Sequence, residues 1–124
     1  MVSYKIFTLP EEWDNPTKLS FLQRRVIVYS IQYYMMDATV ISDQQYDACA
    51  RQLEALTKEC TQEEREKSRY WYCMSNFTAA TGFDLYFKLT DEDREYLSHI
   101  ADIVLDDYRH GRGMSASRDT QPLL

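Results

Sequence analysis

Residues Tyr33–Asp47 read YYMMDATVISDQQYD. The fold turns on this stretch, because it holds the end of one helix, a turn and the start of the next. Ser42, followed three residues later by Gln45, forms a capping box in which each side chain answers the other's backbone N–H. Ile41 before the cap and Tyr46 at the fourth helical position can pack as a hydrophobic staple. Asp43 at the first helical position complements the helix dipole. Upstream, Leu19, Leu22, Val26, Tyr29, Tyr33 and Met36 recur at spacings of three and four, one apolar stripe of a helix. Only DATV lies between the two, so the helices are expected to be antiparallel neighbours. Phe21, Ile27, Val28 and Ile31 lie off the stripe. The first helix is therefore apolar on more than one face and is predicted to be central, with Tyr29 in the core.

Asn15 is the expected N-cap of that first helix and Pro16 its first residue. The second helix extends to about Lys58 and buries Tyr46, Cys49, Ala50, Leu53 and Leu56. Thr61 and Glu64 make another capping box, opening a third helix over EEREKSRYWYCMSNFTAA, with Tyr70, Trp71, Met74 and Phe77 packing inward. Gly82 breaks the pattern, and Phe83, Leu85, Tyr86, Phe87 and Leu89 are expected to plug the core. Thr90 with Asp93 opens a fourth helix, which buries Leu97, Ile100, Ile103, Val104 and Tyr108 and stops at Gly111. The expected fold is all-α: a compact bundle of about four helices built around an antiparallel hairpin at 16–59. One helical domain would span 1–110, with an extended N-terminal arm, and 111–124 would be a flexible, disordered tail.

The chain has 124 residues, enough for one domain with a modest core. Three glycines and three prolines argue against an all-β architecture. A net charge of -6 argues against direct nucleic-acid binding, which needs a basic face. It suits a cationic ligand, a basic protein partner or plain solubility. Cys49, Cys60 and Cys73 form no C-x-x-C pair and are odd in number, so a reduced, cytoplasmic protein is expected. The N-terminus MVSYKIFTLPEEWD has no apolar signal core, and no run approaches the ~18 apolar residues of a membrane span. His99 and His110 stand alone, so no metal site is expected. Glu11/Glu12, Asp91/Asp93 and Asp106/Asp107 sit where helix starts and solvated faces put acids. No serine, cysteine or lysine has an evident base partner, so no catalytic residue is nominated.

The segment YYMMDATVISDQQYDACARQLEALTKE resembles the N-terminal helical hairpin of bacterial NAD-dependent DNA ligases. That hairpin has the form Y-[HY]-x-x-D-x-P-x-[IV]-[SP]-D-x-x-Y-D-x-L-x-x-E-L-x-x-L-E. Tyr33, Tyr34, Asp37, Ile41, Ser42, Asp43, Tyr46 and Asp47 carry the likeness, followed by the RQLEAL pattern. Thr39 stands where the family has proline, Tyr34 where many members have histidine, and Cys49 to Arg51 depart from the apolar pattern. The resemblance covers about a quarter of the chain and ends after Glu59. It implies binding of the nicotinamide mononucleotide (NMN) half of NAD by Tyr33, Tyr34, Asp43, Tyr46 and Asp47, and a structural role for Asp37. The family's K-x-D-G adenylation motif, OB-fold, zinc module and helix-hairpin-helix region are all missing from this sequence, so the chain is not expected to be an enzyme. Ligase-related proteins of this size look like those of bacterial viruses and prophages. Two roles follow. One is a non-catalytic module with a weak NMN or NAD site. The other is a protein–protein interaction or inhibitor protein, such as a phage anti-defence factor, docking an acidic, tyrosine-rich surface on a host protein.

Overall fold

The computed structural model describes residues 8–38, 40–78 and 84–110. Every regular element among them is helical, as expected. The predicted tail at 111–124, the first seven residues of the predicted arm, Gly82, Phe83 and Gly111 lie outside the described residues. Helix α1 (Asn15–Ser30) passes directly into a π turn (Ile31–Met35). It is followed by α2 (Asp43–Glu59), α3 (Gln62–Lys67), α4 (Trp71–Met74), α5 (Leu85–Lys88) and α6 (Asp91–Arg109).

Helix α1 is the axis of the bundle. From Leu22 to Gln32 only Arg24 escapes full burial. Helices α2, α3, α5 and α6 all pack on α1, and α6 also packs on the π turn. One apolar cluster joins Leu22, Val26 and Ile31 to Leu53 of α2, Leu85 of α5, and Leu97 and Val104 of α6. The predicted central position of this helix, and of Tyr29 within it, is therefore observed. Its start is one residue earlier than expected. Asp14, not Asn15, is the N-cap: its carboxylate accepts the Thr17 N–H at 2.9 Å. Asn15 is already helical and donates instead to Glu64 at 3.1 Å, tying α1 to α3.

A helix this buried must satisfy its polar side chains internally. The Gln23 amide does so at both ends, donating to Ser68 Oγ at 2.9 Å and accepting the Tyr70 N–H at 3.0 Å. Ser20 Oγ accepts the Arg69 N–H at 2.8 Å. These bonds explain the main departure from the expected bundle. The predicted third helix is not continuous, because residues 68–70 leave the helix to bond α1, with Ser68 extended at ψ 148°. The Thr61–Glu64 capping box is present, but it opens a helix of only six residues.

Among the later helices, two expected core residues lie outside. Phe87 is 68% exposed: α5 has only one turn, and Leu85 and Leu89, four apart, take its inner side. Tyr108 is half-exposed, since Ala101, Val104 and Leu105 form the inward face of α6 there. Conversely, Asp93 is buried rather than on a solvated face. Its carboxylate accepts from Arg69 Nη2 at 2.5 Å and from the Tyr72 hydroxyl at 2.6 Å. Burial alone pushes this carboxyl up. The Tyr72 and Arg69 hydrogen bonds and the Arg69 charge outweigh it and hold the pKa below the usual value. The start of α6 is thus pinned to α4 through Tyr72 and to the segment before it through Arg69.

Candidate functional site

The π turn and the first two turns of α2 carry all five residues singled out in the sequence. The turn is wide. Met36 N–H bonds back five residues to Ile31 O at 3.1 Å, and Ala38 N–H bonds back six to Gln32 O at 2.9 Å. Asp37 then adopts φ 52°, the left-handed conformation that aspartate tolerates better than most residues. The α-helical register is broken by these longer bonds. Tyr33 therefore leaves the apolar stripe to which its spacing assigned it, and is 44% exposed. Tyr34 and Met35 beside it are equally open, at 44% and 43%. Wide turns of this kind recur at functional sites.

Across the connection, α2 begins as expected. Ser42 Oγ accepts the Gln45 N–H at 3.1 Å, and Gln45 Oε1 accepts the Ser42 N–H at 2.9 Å. Ile41 and Tyr46 both pack partly buried against the core, as a staple requires. The cap fixes where α2 starts, and so which α2 side chains face the tyrosines.

Three rings meet at this end of the hairpin. Tyr33 lies edge-on to Tyr34, with centroids 4.7 Å apart, and nearly parallel to Tyr46, at 6.5 Å and 15°. Tyr46 is the anchor. Its hydroxyl lies 2.7 Å from Ser30 Oγ, whose single proton goes to Val26 O at 2.8 Å. Tyr46 must therefore be the donor. Burial pushes its phenol up to about 12, so it stays neutral. Tyr34 is also pushed up, first by burial and then by Tyr33 and the Asp43 charge.

Asp47 is the exception. Its carboxylate is bonded to Arg51 Nε at 2.8 Å, one turn along α2. Two acids at i,i+4 repel by ~0.2–0.5 kcal/mol. An exposed i,i+4 ion pair is worth ~0.3–0.5 kcal/mol, so Arg51 offsets the repulsion between Asp43 and Asp47. The pairing also makes Asp47 intelligible without any ligand, and its Asp-x-x-x-Arg spacing was legible in the sequence. Ser30, which fixes Tyr46, carried no such signal, because its partner lies 16 residues away.

The arrangement offers ring faces flanked by carboxylates. That chemistry suits a flat cation: ring faces attract it by ~0.5–2 kcal/mol, and carboxylates accept hydrogen bonds from hydroxyl groups. A separate cleft of about 160 Å³ lies further along α2, between Leu53, Thr57, Trp71, Met74 and Phe77, and none of the five residues lines it. No helix among the described residues is long and apolar enough to cross a membrane.

Residues 13–68 match the family model of the DNA ligase-like, N-terminal NAD+-binding domain. The matched span takes in α1, the π turn, α2 and α3, and stops where Ser68 turns to meet Gln23. No curated protein and no solved structure matches the chain. The helical hairpin that carries the tyrosine cluster is therefore similar, over residues 13–68, to the DNA ligase-like, N-terminal NAD+-binding domain.

Proposed function

We propose that the chain is a non-catalytic binding module for the nicotinamide nucleotide portion of NAD, with NMN as its minimal ligand. The observation that carries this reading is the cluster of Tyr33, Tyr34 and Tyr46 at the hairpin end, with Asp43 at the start of the helix that carries Tyr46. The nicotinamide ring is a cationic pyridinium on a ribose with two hydroxyls. Tyr33 and Tyr34 would stack on the cation, and Asp43 and Asp47 would accept the hydroxyls. Borrowing Asp47 from Arg51 costs only the ~0.3–0.5 kcal/mol of an exposed pair. The site is open on the side of Tyr33, Tyr34 and Met35, so affinity is weak. The sequence holds no K-x-D-G motif to take up AMP, so the bound nucleotide is not turned over.

Thermal shift tests the reading. A ligand at ten times its Kd stabilises by about 1.4 kcal/mol, a shift of a few degrees in Tm. Millimolar NMN should raise the Tm of the wild type and leave Asp47→Ala unmoved. No response of the wild type to millimolar NMN or NAD would sink the proposal.

A second reading, docking on a protein in the cytoplasm of a virus-infected bacterium, draws on the same exposed face. Tyr33, Tyr34 and Met35 are consecutive, open and flanked by Asp37 and Asp43. Tyrosine and methionine are favoured in interfaces. This reading gains ground if NMN is inert and a stoichiometric protein partner is lost on Tyr33→Ala but kept on Asp47→Ala.

A further inference from the structure

Gln32 is fully buried at the base of the π turn, immediately before the tyrosine pair. An unbranched apolar residue fits such a place, and a buried amide needs a reason. Its Nε2 donates to the Ala101 carbonyl in the middle of α6, at 3.0 Å, while its Oε1 has no hydrogen-bond partner among the described residues. The same residue's backbone carbonyl accepts the six-residue bond from Ala38. One residue therefore joins three things: the closure of the wide turn, the outward direction of Tyr33 and Tyr34, and a helix that lies wholly outside the 13–68 match.

We infer that Gln32 is the positioning residue of the tyrosine pair, and that α6, through Ala101, holds the π turn in the geometry the site uses. Replacing this half-satisfied amide by an apolar side chain also removes its buried, unpaired oxygen, which offsets the lost hydrogen bond and keeps the net change in stability small. Its effect is instead on conformation. Without the tie, the turn relaxes toward ordinary helical register, in which Tyr33 returns to the apolar stripe and its face leaves the site. The part of this inference that concerns ligand rests on the nicotinamide-nucleotide reading; the part that concerns the turn does not.

The test is amide hydrogen exchange on wild type and Gln32→Leu, without ligand, followed by NMN titration of both. The expected result is about tenfold faster exchange at Met36 and Ala38, the two amides that close the turn, with Val26 and Ile27 unchanged and Tm within a few degrees of wild type. NMN affinity should fall severalfold in the variant. Unchanged exchange at Met36 and Ala38 overturns the inference, as does a uniform rise across α1, which marks general destabilisation. Should Gln32→Leu fail to fold, Gln32→Met, which keeps the length of the side chain without its amide, takes its place in the same comparison. Selective exchange at the turn with no NMN binding by either protein would sink the ligand reading and leave the role of Gln32 standing.

Discussion

At the scale of single residues, Asp47 and Arg51 decide how the candidate site behaves. Asp47 is the acid whose presence the helix start does not require, and in the structure its carboxylate is held by Arg51 at 2.8 Å. The cationic ring of the ligand must compete with that guanidinium for Asp47. Arg51→Ala removes the competitor and adds negative potential at the ring cluster. The variant should bind NMN about twofold more tightly, the factor that ~0.3–0.5 kcal/mol represents, with the gain shrinking at high salt. Weaker binding by Arg51→Ala in a titration series would mean that Arg51 itself contacts the nucleotide. The five candidate residues were nominated by the resemblance to a motif. Their states were not. The spacing of Tyr33 put it in the core stripe, and only the five- and six-residue backbone bonds of the π turn move it out. No residue type announces such a turn, and Asp37 at φ 52° is a weak sign compared with glycine.

Among the elements, the starts were easier to read than the ends. The Ser42 and Thr61 capping boxes and the Thr90 cap are where the sequence placed them, since a cap is a contact between residues three apart. The break at Ser68 was missed because its cause is 45 to 49 residues away, in Gln23 and Ser20. Asp93 has the same character. As the third residue of α6 it reads as an exposed helix-start acid, yet it is buried and holds Arg69 and Tyr72. Asp93→Ala leaves the Tyr72 hydroxyl without its acceptor and frees Arg69. A hydrogen bond to a charged group is worth ~1.5–3 kcal/mol. The half-exposed Arg69 arm sits at the low end of such values because solvent screens it. Chemical denaturation should show a loss of about 2 kcal/mol, with exchange rising first in the α6 start. A loss within error of zero would mean that the pin is not used. Ser42→Ala, by contrast, should cost about 1 kcal/mol and disorder the α2 end of the site.

For the molecule as a whole, the core is rich in groups that must stay neutral. Burial pushes Cys49 from 9.0 to about 12, Cys73 to about 11 and Tyr46 from 10.0 to about 12. Each folded-state value is raised, so the fold prefers the protonated form. The contribution to stability is complete below the ordinary values and declines as pH climbs through them. The urea midpoint should therefore hold level to about pH 9 and fall steeply between 9 and 12. A midpoint that stays level to pH 12 would show that these groups ionise without cost. The helical class and the central hairpin were readable from periodicity, which reports a helix's own faces. How the later helices wrap α1 was not, because that depends on polar joints between segments far apart in sequence.

Those joints also bear on how such a protein could be assembled from parts. At the seam after Lys67, α1 meets the chain mainly through main-chain groups: Ser20 takes the N–H of Arg69 and Gln23 takes the N–H of Tyr70. Ser68 adds a side-chain hydrogen bond, and the Tyr70 ring is buried in the core cluster. A socket that grips N–H groups fixes the path of the incoming chain and rejects proline, while the buried Tyr70 ring also selects its composition. The hydrogen bonds at this point set where the chain goes next, but α5 and α6 complete the core around α1, so a different C-terminal companion would need matching apolar residues.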